Sequence, residues 1–277
     1  MTPDTAQGEQ RMTNAFTVDV EDYFQVAAFE GHIAREDWDR HPRRVERNTE
    51  AVLNLLDAHG VKGTFFTLGW VAERCPALVR DIAARGHELA SHGYDHTRVT
   101  QMNRDHFRDD VTRAKRLLED AAGVAVRGYR APTFSFNRDN RWAYELLLEA
   151  GYAYSSSVAP VKHDLYGIPD APREPYRDAS GMLEIPISTI RIGARNLPCG
   201  GGGFFRLYPY RLTRWCIERI NREDAQPCIF YMHPWEIDVE QPRQTGVGFK
   251  TRLRHYLNLS RVESRLQRLL TDFRWAR

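Results

Sequence analysis

The sequence predicts an α/β protein, an irregular (β/α)7 barrel with parallel strands inside and helices outside. Three observations carry that expectation. Short apolar or β-branched runs alternate with amphipathic helical stretches from end to end of the 277 residues, the pattern of a parallel sheet joined by crossover helices. About seven such units fit the chain, one short of the regular eightfold barrel. A content of 42% hydrophobic and 27% charged residues suits a globule with one sizeable core.

Residues 1–13 are polar, lack the apolar segment of a signal peptide, and predict a disordered leader. Residues 14–277 then form one domain. "AFTVDVEDYF" starts as a strand and ends in carboxylates. In the next stretch Val45, Thr49, Val52, Leu53 and Leu56 recur at helical spacing, and Gly60 stands where a helix stops. "KGTFFTLG" reads as a strand, "PALVRDIAARG" as a helix opened by Pro76 and closed by Gly86, and "HELAS" as a strand. A third helix runs from the cap Asn103 to Gly123. "VRGYRAPTF" is a strand ended by Pro132, followed by the helix "RWAYELLLEAG" and the strand "YAYSSSV". Residues 160–182 are a long loop, "LEIPISTIRI" one strand, "YRLTRWCIERINRE" a helix and "PCIFYMHPW" the last strand. A helical extension over 245–277 breaks near Asn258, where "SRVE" at 260–263 has the form of a capping box.

Several functions are disfavoured. A net charge of +2 makes no case for nucleic acid or membrane binding. No 18-residue apolar run predicts an integral membrane segment. Cys75, Cys199, Cys216 and Cys228 lie far apart without a C-x-x-C pair, so they are expected to be reduced core thiols. The default address is the cytoplasm.

Catalytic groups of such barrels gather at the C-terminal ends of the strands. The first strand ends in Asp19, Glu21 and Asp22, the third in His92 and His96, the fourth in Arg130, and the last in His233, Pro234, Trp235 and Glu236. Ionisable groups from four strands thus reach one rim. His92 and His96 alone have two readings, a metal site or a His-rich surface loop, because two imidazoles four apart can face one point. Asp19 and Glu21 share a side if the first strand stays extended; if it ends by Val20, Asp22 can swing in instead.

The blocks "TVDVED", "SHGYDH", "RGYRAP" and "YMHPWE", in that order over roughly residues 14–236, resemble those of the polysaccharide deacetylases, the NodB-homology or carbohydrate esterase family 4 proteins. "GGGFFRLYPYRLTRW" and "GFKTRLRHYLNLSRVESRLQRLL" resemble the exosortase/PEP-CTERM-locus subgroup with its DUF3473-like C-terminal region. The resemblance implies a catalytic domain over 14–277 that removes N-acetyl groups from an amino-sugar polysaccharide or its precursor in exopolysaccharide biosynthesis, in the cytoplasm or at the inner face of the membrane. It implies a divalent metal, usually zinc, held by one carboxylate with His92 and His96, a donor set that suits Zn²⁺. Asp19 is the expected base and Asp22 the expected ligand, with Glu21 competing for either role. Arg130 would orient the catalytic carboxylate, and His233 would protonate the leaving amine. Thr133 would offer a backbone N–H to the oxyanion. Tyr231 and Trp235, with Phe230, would line a pocket for the acetyl group. Glu236 has two readings, a contact to a sugar hydroxyl or a helix cap.

Two departures stand out. Gly93 replaces a Ser or Thr that braces the His loop, and Ser155 stands where the family commonly has an Asp that supports the Arg or the acid His. They motivate a third reading, a catalytically weak carbohydrate-binding protein, beside a second one, a small-molecule amide or cyclic imide hydrolase. "PCGGGG" at 198–203 lacks the Lys-Ser/Thr of a phosphate loop and reads as a flap or a turn.

Overall fold

The computed structural model describes residues 12–164 and 166–277. The expected leader lies outside the described residues except for its last two, and Thr13 already opens the first strand. The strands are β1 (Thr13–Val20), β2 (Thr64–Thr67), β3 (Glu88–Ser91), β4 (Gly128–Tyr129), β5 (Tyr154–Ser155), β6 (Tyr176–Arg177), β7 (Leu183–Glu184), β8 (Thr189–Ile192), β9 (Arg195–Pro198), β10 (Ile229–Met232) and β11 (Arg274–Ala276). The helices are α1 (Val45–Ala58), α2 (Gly69–Arg74), α3 (Pro76–Ala84), α4 (Arg104–Ala122), α5 (Ala143–Glu149), α6 (Gly202–Leu207), α7 (Tyr210–Glu223), α8 (Phe249–Tyr256) and α9 (Val262–Asp272). The main sheet runs β10-β1-β2-β3-β4-β5-β7-β6, parallel except for the edge strand β6, and β11 adds parallel to the start of β1. This is the expected mostly parallel, curled α/β sheet with outer helices.

β1 is buried on both faces, as a central parallel strand should be. Phe16, Val18 and Val20 pack outward, and Phe16 meets Phe230 of β10 and Trp275 of β11 at ring distances of 5.4 and 5.8 Å. Thr17 and Asp19 take the other face. α1 buries Val45, Thr49, Val52, Leu53 and Leu56, the predicted stripe, each large apolar side chain contributing about 1.5–3 kcal/mol. α4 is capped as expected: Asn103 Oδ1 accepts the His106 N–H at 2.8 Å, and Gly123 adopts φ +68°.

Several expectations change. The expected loop 160–182 holds β6, and the expected helical extension ends in β11. "LEIPISTIRI" is two strands: β7 stays in the main sheet, and beyond Pro186 the chain enters β8, which pairs antiparallel with β9 in a separate hairpin. The glycine run is a close approach of two backbones. Gly201 bridges Tyr231, and a Cβ there would sit 1.9 Å from the Tyr231 carbonyl oxygen. The chain does break at Asn258, in the left-handed region at φ +53°, but no side chain caps α9 in the manner of a capping box.

The gap between β7 and β10 is closed irregularly. Ile187 N–H donates to Val158 O, Ser188 Oγ accepts the Ile229 N–H at 2.7 Å, and Gly200 O accepts the Tyr231 N–H at 2.7 Å. Residues 187–201 therefore bridge the two ends of the sheet. Among the described residues no helix is long and apolar enough to cross a membrane.

Candidate active site

The C-terminal ends of β1, β3, β4 and β10 meet at one mouth of the sheet. β10 lies beside β1, while β3 and β4 lie beyond β2, so groups after these strands converge above β2. Asp19 is level with Phe66 in the β1–β2 register. Arg130 follows β4 and is fully buried, with its guanidinium 4.0 Å from the Phe66 ring centroid. It donates to Asp19 Oδ1 at 2.7 Å, Thr17 Oγ1 at 2.8 Å, Ser156 O at 3.1 Å and Ser156 Oγ at 3.0 Å. A buried guanidinium is tolerable when a carboxylate and several acceptors surround it in this way.

Glu21, His92 and His96 are all buried and each offers a donor atom within 4.8 Å of the others. His92 Nδ1 contacts the Arg130 carbonyl at 2.9 Å, a backbone contact that orients the ring and leaves Nε2 for a ligand. Glu21 Oε2 lies 2.8 Å from His96 Nε2 without hydrogen-bond alignment and has no hydrogen-bond partner. An orphaned buried carboxylate oxygen beside two imidazoles is the donor set a divalent cation takes, so these three residues fit the expected metal.

Asp22 does not join them. Its Oδ1 accepts the Tyr23 N–H at 2.9 Å, and its Oδ2 accepts the N–H groups of Arg44 and Val45 at 2.7 and 3.0 Å. It thus satisfies the open amides at the start of α1. The chain keeps strand alternation past Val20, so Glu21 stays on the Asp19 side and Asp22 turns to the helices. Glu21 takes the place expected of Asp22. Burial pushes Asp22 up to about 6 despite its three N–H donors.

His233 Nε2 lies 3.6 Å from Glu21 Oε1 and 3.9 Å from Asp19 Oδ2. Its Nδ1 is 2.6 Å from Glu236 Oε1, and Glu236 Oε2 accepts from Arg206 Nε at 2.9 Å. Burial disfavours the imidazolium, but Glu21, Glu236 and Asp19 outweigh it and raise His233 to about 9. Burial likewise raises Glu21, while His96 and His233 outweigh that and bring it to about 2. His92 is lowered to about 4, mainly by burial, which keeps its imidazole neutral for coordination.

Trp235 is packed behind the site. Its ring stacks between His233 (5.1 Å) and His255 of α8 (4.3 Å), and its Nε1 donates to Glu21 Oε1 at 3.1 Å. Tyr231 is nearly buried against Phe134, Ala159, Val161 and Ile187, with its ring 5.9 Å from His233. Phe230 points into the core and is not at the mouth. Thr133 follows Pro132 at φ +56° and Phe134 at φ +49°, a rare conformation for a β-branched residue. It places a strained turn beside Arg130.

The loop after β3 is braced without a side chain at Gly93. Gly93 O and Tyr94 O accept the first N–H groups of α2 at 2.8 Å, and Asp110 Oδ1 accepts the Tyr94 N–H at 3.0 Å. Gly93 has φ +77°, and a Cβ there would lie 3.0 Å from Asp110 Oδ2. Ser155 is buried, with its Oγ 2.8 Å from Ser157 Oγ. Sequence reasoning did not find Glu236 as the partner of His233, nor Arg206 behind it. The first had a signal in the His-x-x-Glu spacing; the second is 30 residues away from Glu236 and had none.

Comparison with known proteins places this geometry in a family. Residues 37–154 match the polysaccharide deacetylase family model, and residues 156–277 match a domain of unknown function, DUF3473. A chitooligosaccharide deacetylase of Bradyrhizobium sp. is 34% identical over 188 residues, covering 67% of this chain and 77% of that protein. The chain belongs to the polysaccharide deacetylase family. A peptidoglycan-N-acetylglucosamine deacetylase of Bacillus cereus is 35% identical over 98 residues, 35% of this chain and 36% of that protein. The chain thus spans only about a third of that relative's length. A solved structure from Mycobacterium smegmatis that carries the polysaccharide deacetylase name superposes with a TM-score of 0.61 at 23% identity, over 95% of this chain and 85% of that one, a likeness of fold. Within this family member, His92, His96 and Arg130 come from the first matched span and His233 from the second, while Asp19 and Glu21 precede both.

Proposed function

We propose that this polysaccharide deacetylase is a divalent-metal-dependent hydrolase that removes N-acetyl groups from an amino-sugar polysaccharide or its precursor, and that it serves exopolysaccharide biosynthesis in the cytoplasm or at the inner face of the membrane. One observation carries the reading. A buried Glu21/His92/His96 donor set, an Arg130-anchored Asp19 and the His233 Nε2 stand together at one mouth of the sheet. The Bradyrhizobium relative, named for deacetylation of chito-oligosaccharides, supports the sugar class.

The chain's own groups suit hydrolysis of an acetamide. Glu21, His92 and His96 would hold the cation, which when bound supplies Lewis acidity toward the acetyl carbonyl and the attacking water. Arg130 fixes Asp19 through Oδ1, so Oδ2 faces the site. There it takes a proton as water adds to the carbonyl carbon. The Thr133 N–H is proposed to face the developing oxyanion. His233, whose protonated form Glu236 and Asp19 favour, gives its Nε2 proton to the amide nitrogen as the C–N bond breaks. Acetic acid, which ionises in solvent, and the free amine leave, and the proton on Asp19 restores His233 through solvent. Tyr231 and Trp235 are proposed to bound the acetyl side, Trp235 chiefly by holding Glu21.

The test is acetate release from N-acetylated chito-oligosaccharides. Activity lost on chelation, restored by zinc and absent in His96→Ala supports the reading. Turnover by His96→Ala at the wild-type rate refutes the metal assignment. Hydrolysis of cyclic imides in place of acetylated sugars would select the small-molecule amidase. A purified protein that binds no zinc would select the carbohydrate-binding reading.

A further inference from the structure

The support that the family commonly draws from an Asp in the block at Ser155 is built here from a different part of the chain. Ser155 and its neighbours are engaged elsewhere: Ser157 N–H and Val158 N–H donate to Glu184 Oε1 at 2.7 and 2.9 Å. Glu236 instead reaches back to His233 from the turn after β10, accepting both the ring Nδ1 at 2.6 Å and the His233 backbone N–H at 3.2 Å. Glu236 is buried across the His233 ring from Asp19 and Glu21, where a lone third carboxylate would be costly. Arg206, itself 3% exposed, compensates it through Nε.

Arg206 is locked in turn. Its Nη1 donates to the carbonyls of His255 at 2.6 Å and Leu257 at 3.5 Å, at the open C-terminal end of α8, where a cation is favoured. Its own carbonyl accepts from Asn258 Nδ2 at 2.9 Å and Arg265 Nη1 at 3.0 Å. Trp235, stacked on His233, closes the ring from one side. α6, which carries Arg206, can approach β10 because Gly201 and Gly202 have no Cβ to meet Tyr231.

We propose that Glu236 and Arg206 are positioning residues for His233, and that the region of unknown function exists in part to supply them. The pair keeps the imidazole in one orientation, with Nδ1–H on Glu236 and Nε2 turned to Asp19 and Glu21. A general acid needs this arrangement, because the imidazolium must point its Nε2–H at the leaving nitrogen and a flipped ring points it away. The catalytic consequence rests on the deacetylase reading; the ring orientation does not.

Glu236→Gln separates the two ends of the device. Its carbonyl oxygen can accept from His233 Nδ1–H only by turning its NH₂ on the Arg206 Nε–H, and the flipped amide offers an NH₂ to Nδ1. The first arrangement leaves a buried donor facing another donor, and the second does so unless Nδ1 gives up its proton. Long-range ¹H–¹⁵N correlation on the full-length protein, with His233→Asn to assign the signal, should show a protonated, hydrogen-bonded Nδ1 in the wild type and its loss in Glu236→Gln. With an acetylated chito-oligosaccharide the variant should lose on the order of 10²-fold in kcat at little change in KM. With 4-nitrophenyl acetate, whose leaving group departs unprotonated, the loss should stay below about tenfold. Arg206→Lys, which keeps the charge but not the fork, should show the same split to a smaller degree and serves if Glu236→Gln does not fold. An unchanged His233 signal, or equal losses on both substrates, overturns the proposal. A wild type that releases no acetate removes the deacetylase reading and leaves the imidazole signal to decide this one.

Discussion

The choice between Glu21 and Asp22 as the carboxylate ligand can be tested with two isosteric changes, Glu21→Gln and Asp22→Asn. Asp22 rises from an ordinary 3.8 to about 6, chiefly through burial. That rise costs about 3 kcal/mol of stability when the group is ionised, at about 1.36 kcal/mol per pH unit. The sign follows from proton binding. Below pH 3.8 both folded and unfolded chains hold the proton and the cost is absent. Between 3.8 and about 6 the unfolded chain releases it first, so stability falls as pH rises, and above about 6 the whole cost is present. Asn carries no charge and escapes this cost at every pH. It has one acceptor oxygen in place of two, and so leaves at least one of the Tyr23, Arg44 and Val45 amides unsatisfied, which costs about 1–3 kcal/mol. Asp22→Asn should therefore be less stable than the wild type near pH 4.5 and draw level with it or pass it by pH 7.5. The difference should move by about 2 kcal/mol in urea unfolding across that range. Zinc affinity measured by calorimetry should be unchanged in Asp22→Asn and strongly weakened in Glu21→Gln. A stability difference independent of pH, or a loss of zinc in Asp22→Asn equal to that in Glu21→Gln, would show that Asp22 faces the ion.

Other perturbations follow from the same coordinates. Arg130→Met strands the buried Asp19 and should cost about 3–5 kcal/mol, most of it recovered in the double variant with Asp19→Asn, because removing both charges removes the penalty of an unpaired one; a single-variant cost under about 1 kcal/mol in urea unfolding would contradict the burial of the pair. His233 should titrate near 9 in metal-free protein, since Glu21, Glu236 and Asp19 together overcome its burial. Zinc bound at Glu21 should lower that value by cancelling the nearest negative charge, and an NMR titration that shows no drop would place the ion elsewhere. Gly201→Ala should cost at least about 1–3 kcal/mol from backbone strain at φ +130°, and more from the clash with Tyr231 O. Gly203→Ala, with only the end of the Arg206 side chain nearby at 3.8 Å, should be neutral or stabilising by up to about 1 kcal/mol; equal melting temperatures for the two variants would refute the close approach.

The features legible in the sequence were those carried by local periodicity and caps. The stripe of α1, the Asn103 and Gly123 ends of α4 and the outward Phe16, Val18 and Val20 of β1 are set by neighbours a few residues away. What escaped was set by tertiary partners. α2 is six residues long, begins at a glycine, and is held by carbonyls of the His loop that no local pattern announces. The apolar run 183–192 carries one strand signal but serves two sheets, because Pro186 interrupts the ladder and residues 187–201 must reach β10. The alternation Asp19-Val20-Glu21 already put Glu21 beside Asp19; the expectation of Asp22 as ligand came from letting the strand end where its pairing ends. Pairing and extension are separate properties, and the chain keeps the second for one residue beyond the first.

The boundary between the two matched spans falls at residues 154–156, yet no physical boundary of the site falls there. β10, from the second span, pairs with β1 along Ala15 to Val18, and without it β1 would be an open sheet edge there with Phe16 stripped of Phe230. His233 Nε2 comes within 3.9 Å of Asp19 Oδ2 because that register sets the ends of β1 and β10 side by side. Arg130, from the first span, anchors the same Asp19 and rests on Ser156, the first residue of the second. The proposed proton donor, base and anchor thus depend on one continuous set of strands. Any change that loosens β10 against β1 should weaken the site before it weakens the helices outside.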